Sequence, residues 1–222
     1  MNLKHFLTEN GFELAGGGGI TLPPHTKGIF LDVGLSREAH QSERLLKENP
    51  DYVVIGFEPL KSNIAQIING TSGYEGALNP NRIGKTFFLV PSALGTQGSG
   101  RFADFFVTKD DPGCSSLYSP LMFEIKEKTK VRVYSLEEFI ALLDFNSIGL
   151  IDFIKIDAQG ADLDIIRSAQ RKIKHVLLIT CEITVDQYDG IVNSTKKTIL
   201  LMLRKGFLPV TLGKNYPRFS SY

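Results

Sequence analysis

The sequence predicts an α/β protein built on a mostly parallel sheet with helices on both faces, and three observations carry that expectation. Short, near-continuously apolar segments alternate with segments of helical period, the pattern of strands buried on both faces and joined by crossover helices. Three of the apolar segments end in an acidic residue beside a turn: Gly28-Ile-Phe-Leu-Asp-Val-Gly34, Tyr52-Val-Val-Ile-Gly-Phe-Glu-Pro59 and Ile151-Asp-Phe-Ile-Lys-Ile-Asp157. In open sheets of this kind ligands bind beyond the carboxyl ends of the strands, so the acidic ends mark one crevice.

Residues 1–27 contain Gly16-Gly-Gly-Gly19 and Pro23-Pro24 and read as an N-terminal arm ahead of a single domain over 28–222, with the glycines as a flexible linker. A phosphate cradle would need a strand before those glycines and a helix after them, and neither is predicted. Strand 28–34, a polar helix over 36–48, strand 52–57 and a helix over 60–68 follow, the last with Leu60, Ile64, Ile67 and Ile68 at helical spacing. A loop rich in Gly and Asn over 69–85 leads to a strand at 86–91 and an extra strand at 102–107. The segment 109–120 holds Asp111-Pro-Gly113, strong turn chemistry in a loop long enough to be a lid or a binding loop. Beyond it the spacing predicts a short strand at 131–134, a helix over 135–143 capped by Ser135, and strand 151–157. A helix over 161–172 carries Asp162 and Asp164 in its first turn, and strand 176–182, a helix over 189–205 and strand 207–212 close the chain.

Composition narrows the function classes. A chain of 222 residues, 42% hydrophobic and 22% charged, buries one sizeable core and is not wholesale disordered. A net charge of +1 without a basic run gives no strong nucleic-acid signal. Cys114 and Cys181 are too few for a disulfide framework and lack metal-ligand spacing, so a reducing, cytoplasmic setting is expected and no zinc or other metal site. No stretch approaches the roughly 18 apolar residues of a membrane span.

The candidate ligand residues sit at the strand ends. Gly34 lacks a Cβ where a ligand could approach the backbone, but the chain continues Leu35-Ser-Arg-Glu38, without the further glycines of a dinucleotide turn. Glu58, 24 residues on, stands where an acidic side chain accepts from both hydroxyls of a ribose; a solvated strand-end glutamate is an equally compatible reading of that residue alone. Asp32 could accept from an ammonium group, directly or through water, or simply hold the turn. Together Asp32, Gly34 and Glu58 fit the nucleoside half of a nicotinamide or an S-adenosylmethionine site. The missing phosphate-binding glycines favour the second, which has no phosphates to cradle.

The order Phe30-Leu-Asp-Val-Gly34, Gly56-Phe-Glu-Pro59, Val90-Pro-Ser-Ala-Leu-Gly95, Gly113-Cys-Ser-Ser-Leu117 and Ile151-Asp-Phe-Ile-Lys-Ile-Asp-Ala-Gln-Gly160 resembles the FkbM family of S-adenosylmethionine-dependent methyltransferases. The resemblance spans about residues 28–210. It implies a Rossmann-like methyltransferase fold with a reversed last strand, methylation of a hydroxyl on a sugar or other small-molecule or glycan acceptor, and cofactor contacts from Asp32, Gly34, Glu58, Ser92 and Ala93. Two positions depart from the family's usual pattern: Leu35-Ser36 follows Gly34 where it has Ala-Asn, and Gln159 stands where it has Glu. They leave a binding-only protein as an alternative, with a nicotinamide-dependent oxidoreductase as the enzymatic rival.

Lys155 and Asp157 are two residues apart on a strand and share a face. Asp157 is the candidate for orienting or deprotonating the acceptor, orientation being the readier role unless burial raises its pKa. Lys155 reads as an acceptor contact or as a structural partner of Asp157 or Glu182. Glu182 ends its own strand and could reach the crevice or cap the strand. Ser115 and Ser116 have no histidine in view to make a nucleophile, but as hydroxyls on a mobile lid over 110–120 they suit the acceptor side.

Overall fold

The computed structural model describes residues 1–211 and 216–221. In chain order the elements are α1 (Leu3–Glu9), β1 (Gly28–Val33), α2 (His40–Glu48), β2 (Tyr52–Phe57), α3 (Lys61–Asn69), β3 (Phe87–Val90), β4 (Ala93–Leu94), β5 (Arg101–Thr108) and β6 (Ile125–Tyr134). They continue with α4 (Leu136–Ile140), α5 (Phe145–Ile148), β7 (Ile151–Ile156), α6 (Asp162–Ser168), β8 (Val176–Cys181), β9 (Thr184–Val185), β10 (Val192–Asn193), α7 (Thr195–Arg204), β11 (Phe207–Thr211) and β12 (Arg218–Ser221).

Seven strands form the central sheet in the order β11-β12-β8-β7-β1-β2-β3. The five strands from β8 to β3 are mutually parallel, whereas β12 runs antiparallel to both β8 and β11. Every residue of β1 is buried because both of its faces are covered. Ile29, Leu31 and Val33 join the larger core with α1, α4 and α6, while Phe30 turns to the opposite face against Leu46 of α2, Val54 and Phe87. The α/β fold with its mostly parallel sheet and reversed last strand is as expected, but the reversed strand is β12. The strand expected at 207–212 is β11 over 207–211, and residue 212 lies outside the described residues.

Three departures from the sequence reading have physical causes. Residues 3–20, read as part of an arm, put Leu3, Phe6, Leu7, Phe12 and Ile20 into the main core. The four glycines there close a tight turn, with the Ala15 N–H donating to the Gly19 carbonyl at 2.8 Å and Gly18 at a φ of 79°. The helix expected over 189–205 is confined to α7, because Val192 and Asn193 pair with Val185 and Thr184 in a small ladder. Finally, the strands expected at 102–107 and 131–134 are the two arms of one long hairpin, β5 and β6, paired from Arg101↔Val133 to Thr108↔Ile125. The inner face of that hairpin packs Phe105, Val107, Val131 and Val133 against Leu60 and Ala93, and the loop joining its two strands reaches the strand ends of the main sheet.

Candidate active site

Beyond the carboxyl ends of β1, β2, β3 and β7 lies a cavity of about 480 Å³. Its walls come from the turn after β1 (Gly34, Ser36), the end of β2 and start of α3 (Glu58, Asn63), the segment after β3 (Ser92, Ala93), the hairpin loop (Asp111–Ser115, Leu117) and the segment after β7 (Asp157–Gln159). Ligands of open α/β sheets bind at this edge, and of the three acidic strand ends Glu58 and Asp157 line the cavity while Asp32 does not.

Glu58 is 4% exposed and lines the cavity. Its Oε1 accepts from the Leu60 N–H at 2.9 Å and from Asn63 Nδ2 at 3.3 Å. Burial drives its carboxyl up to about 7, against these bonds, the Ser36 N–H and the charge of Lys155. Ser92 and Ala93 are buried and line the wall past β3.

Asp32, expected to meet the ligand, is 1% exposed and sits below the cavity. Its Oδ2 accepts from Ser42 Oγ at 2.7 Å, and its Oδ1 has an ion pair with Lys155 at 3.2 Å, though no hydrogen bond. Gly34 does line the cavity, but the reason for a glycine differs from the one given by the sequence. At a φ of 82°, a Cβ there would overlap the Asp157 carbonyl oxygen, so the close approach is between β1 and β7 rather than from a ligand.

Lys155 is the post between these strands. Its Nζ donates to the Gly34 carbonyl at 2.8 Å and lies 3.2 Å from Asp32 and 3.7 Å from Asp157. Burial alone would lower its pKa, but Asp32 and Asp157 raise it, so it remains a cation. This is the structural alternative of the sequence reading, with Asp32 as an added partner.

At the far end Gln159 is a clamp. Its Nε2 donates to Asp157 Oδ1 at 2.8 Å and to Glu182 Oε2 at 3.1 Å. Its Oε1 lies 2.7 Å from the Tyr188 hydroxyl, which is also 2.9 Å from the Cys114 carbonyl. A φ of 51° holds the residue in the left-handed region, a strain the bonds on both ends of its amide offset. Burial and the neighbouring Asp157 push the Glu182 carboxyl up to about 7. Buried Asp162 is raised to about 8 for the same two reasons, while its oxygens take the N–H groups of Glu182 and Gly160.

The two serines are both engaged by the protein. Ser115 Oγ accepts from the Thr108 N–H at 3.1 Å, within the hairpin itself. Ser116 Oγ donates to the Gln159 carbonyl at 2.6 Å, which ties the loop to the segment after β7. Ser115 still lines the cavity; Ser116 does not.

Sequence reasoning missed Asn63, Asp162, Tyr188 and Tyr216, whose hydroxyl donates to Asp157 Oδ2 at 3.3 Å. Only Asn63 left a signal, a polar residue four positions before Ile67 on the buried stripe of α3.

A parallel sheet with one inserted antiparallel strand, and an acid at the end of β2 facing a cavity, defines an α/β protein with a candidate ligand site beyond the carboxyl ends of its strands. The sequence matches a family model described as the methyltransferase FkbM domain over residues 32–209. The chain belongs to the FkbM methyltransferase family. No curated protein matches it. Its fold is similar to that of the 16S rRNA (adenine(1408)-N(1))-methyltransferase from Catenulisporales acidiphilia, at 13% identity over 95% of this chain and 97% of that one, with a TM-score of 0.42. It is also similar to the antibiotic-resistance methyltransferase Kmr, at 10% identity over 89% of each chain and a TM-score of 0.45. Among the described residues no helix is long and apolar enough to cross a membrane.

Proposed function

We propose that the protein transfers a methyl group from S-adenosylmethionine to a hydroxyl of a sugar or another small-molecule or glycan acceptor. The observation that carries the reading is chemical: the cavity wall includes residues whose polar atoms have no partner in the protein. Asn63 Oδ1 and Ser92 Oγ are buried without a hydrogen-bond partner, and both residues line the cavity together with Glu58. Buried polar groups are almost always paired, so this wall fits a ligand rich in hydroxyl and amino donors such as adenosine. Glu58 would hold the ribose, Ser92 and Ala93 the base, and Gly34 the backbone edge; Asp32 would act through Lys155.

The turn after β1 supports this donor over a dinucleotide. Leu35 is 3% exposed, packed into the protein where a phosphate cradle would need open N–H groups, and α2 begins only at His40.

Bound there, S-adenosylmethionine supplies a methyl group already activated by its sulfonium, so the chain's task is alignment and proton removal. Asp157 orients the acceptor hydroxyl. Glu182, raised toward neutrality, takes its proton. Asp157 lines the cavity with Glu182 joined to it through Gln159, and this acidic pair disfavours a phosphate backbone and favours an uncharged polyol. A second reading, binding without turnover, is favoured by one observation: the Gln159 amide fills the space between the two carboxylates. Titration with S-adenosylhomocysteine and NAD, followed by methylation screens of sugars and polyols with labelled donor, tests both. NAD binding tighter than the sulfur compound refutes the donor, and donor binding without any methylated product favours the second reading.

A further inference from the structure

We propose that the free edge of β5 docks an extended peptide segment of another protein, one that alternates acidic and apolar residues, as an added antiparallel strand. A second cavity, of about 400 Å³, lies there. Its lining takes in Phe102, Ala103 and Asp104, successive residues whose side chains point to opposite faces, so the cavity runs along the edge of the strand. β5 is the end strand of its sheet, and an antiparallel ladder directs the backbone groups of alternate residues to opposite sides. Phe106 exchanges both backbone bonds with Ser116, and the Thr108 N–H donates to Ser115 Oγ, so the even-numbered residues of β5 face away from β6. Phe102 and Asp104 belong to that set, and no described residue pairs with their backbone groups. Continued in register, residues 118 and 120 would pair with them. The chain leaves instead: the Tyr118 N–H donates to Ser116 Oγ at 3.0 Å and its hydroxyl to Asp164, while Pro120 bridges to Tyr188. The result is a wedge between β5 and the residues Leu117 and Tyr118, open for one more strand.

The occupant's chemistry follows from the two sides of that wedge. Side chains of a strand alternate between faces, and residues directly opposite each other in a ladder share one. The face of Phe102 and Asp104 carries Lys128, Lys130 and Arg132 of β6, and Asp104 is the one carboxylate that the two strands place there. Lys128 and Lys130 both pair with it, which leaves the face positive. The other side is apolar, with Ala103, Leu117, Val133 and Ala161. Asp164, the remaining carboxylate of the lining, is taken by Arg167 and Tyr118. An incoming strand therefore fits with acidic residues opposite Phe102 and Asp104 and small apolar residues between them. In that register the N–H groups of the acidic residues are the ones that face β5. Leu117 and Ala161 also line the first cavity, so the docked segment lies one wall from the candidate active site, whichever donor binds there.

The test uses the full chain and a soluble probe, a peptide of alternating Glu and Val with both ends blocked and about six residues long, enough to cover Phe102–Phe106. Nuclear magnetic resonance is expected to show the Phe102 and Asp104 amides exchanging fast in the free chain and slowing about tenfold or more when the peptide is bound. N-methylation of the Glu residues removes the bonds to β5 and should weaken binding about tenfold or more, whereas N-methylation of the Val residues, whose N–H groups point away, should change it by no more than about threefold. Lys128→Glu/Lys130→Glu, at two exposed positions, should weaken the Glu–Val peptide about tenfold, and a Lys–Val peptide should bind the wild-type chain more weakly by a similar factor. Absence of Glu–Val binding at about 1 mM overturns the proposal, as do equal binding of the Lys–Val peptide and indifference to Glu N-methylation. A dimer of the chain that protects the same two amides without peptide overturns it as well, since the edge then belongs to a second copy.

Discussion

The two ends of the cavity are built on opposite principles. At the proposed nucleoside end, Asn63 Oδ1 and Ser92 Oγ lack a hydrogen-bond partner among the described residues, on a cavity wall that also includes Glu58. At the other end the side chains hold one another: Gln159 bridges Asp157 and Glu182, Tyr188 holds Gln159, and Ser116 ties the hairpin loop to it. The first end is ready for a ligand as it stands. The second must exchange protein hydrogen bonds for acceptor bonds, so any acceptor binds against an intact network and weakly until it matches that network well. Donor binding and acceptor binding should therefore be separable by mutation.

The largest expected effect sharpens that separation at the closed end. Glu182→Gln removes the proton acceptor and should lower turnover by about 10²- to 10⁴-fold, with S-adenosylhomocysteine affinity changed by no more than about twofold. Asp157→Asn should move in the same direction. Comparing kcat with calorimetric affinity in each variant checks this, and equal losses in both quantities would merge the two ends into one site.

Gly34 lies where the ends meet, and its replacement should disturb both. Gly34→Ala combines a left-handed backbone with overlap at the Asp157 carbonyl and should cost about 3 kcal/mol of stability or more, read from urea unfolding. A loss under about 1 kcal/mol would mean that β1 and β7 separate easily and that the contact does not define the cavity floor.

How much of this was legible in the sequence depended on whether a residue's role was local. The parallel core was readable because strands covered on both faces leave near-continuous apolar runs, as in Ile29–Leu31 and Val53–Phe57. β6 was half hidden because Ile125–Lys130 is mostly exposed and carries alternating Lys and Glu or Thr instead of an apolar face. β12 is four residues long and largely polar, too short for periodicity to register. In the site, Glu58 was readable from its place at a strand end. Asp32 looked equivalent, yet it is buried under the cavity, because only the fold brings Ser42 and Lys155 to it. The Gln159 clamp was illegible as such: its partners Glu182, Tyr188 and Ser116 lie on three separate segments. A change of Glu to Gln reads as a lost charge until the two carboxylates it bridges are seen.

A smaller effect belongs to the open end. Glu58→Ala removes one charge-assisted acceptor, worth about 1.5–3 kcal/mol, and should weaken S-adenosylhomocysteine by roughly 10- to 150-fold while leaving Asp157 and Glu182 bridged. Calorimetry on the variant checks the affinity. An unchanged affinity would take Glu58 out of the ligand site and leave its burial unexplained by function.

The smallest expected effect is a dependence of donor affinity on pH, and its sign follows from the raised Glu58 carboxyl. In the free protein that group is pushed up to about 7 by burial, so it is largely ionised at pH 8 and largely protonated at pH 6. Ribose hydroxyls donate to the ionised form, which lowers the bound-state value below the free one. Above pH 7 binding therefore needs no proton release, and below it each unit costs up to about tenfold until the bound-state value is reached. Affinity for S-adenosylhomocysteine should fall about tenfold between pH 8 and pH 6, with a proton released on binding near neutrality. Glu182, near 7, and Asp162, near 8, titrate in the same window but at the closed end. Glu58→Gln separates them: the pH slope should vanish in that variant if the open end governs donor binding. A slope that survives in Glu58→Gln would mean that the carboxylates around Gln159 sense the donor too, and that the clamp opens when the donor binds rather than when the acceptor does.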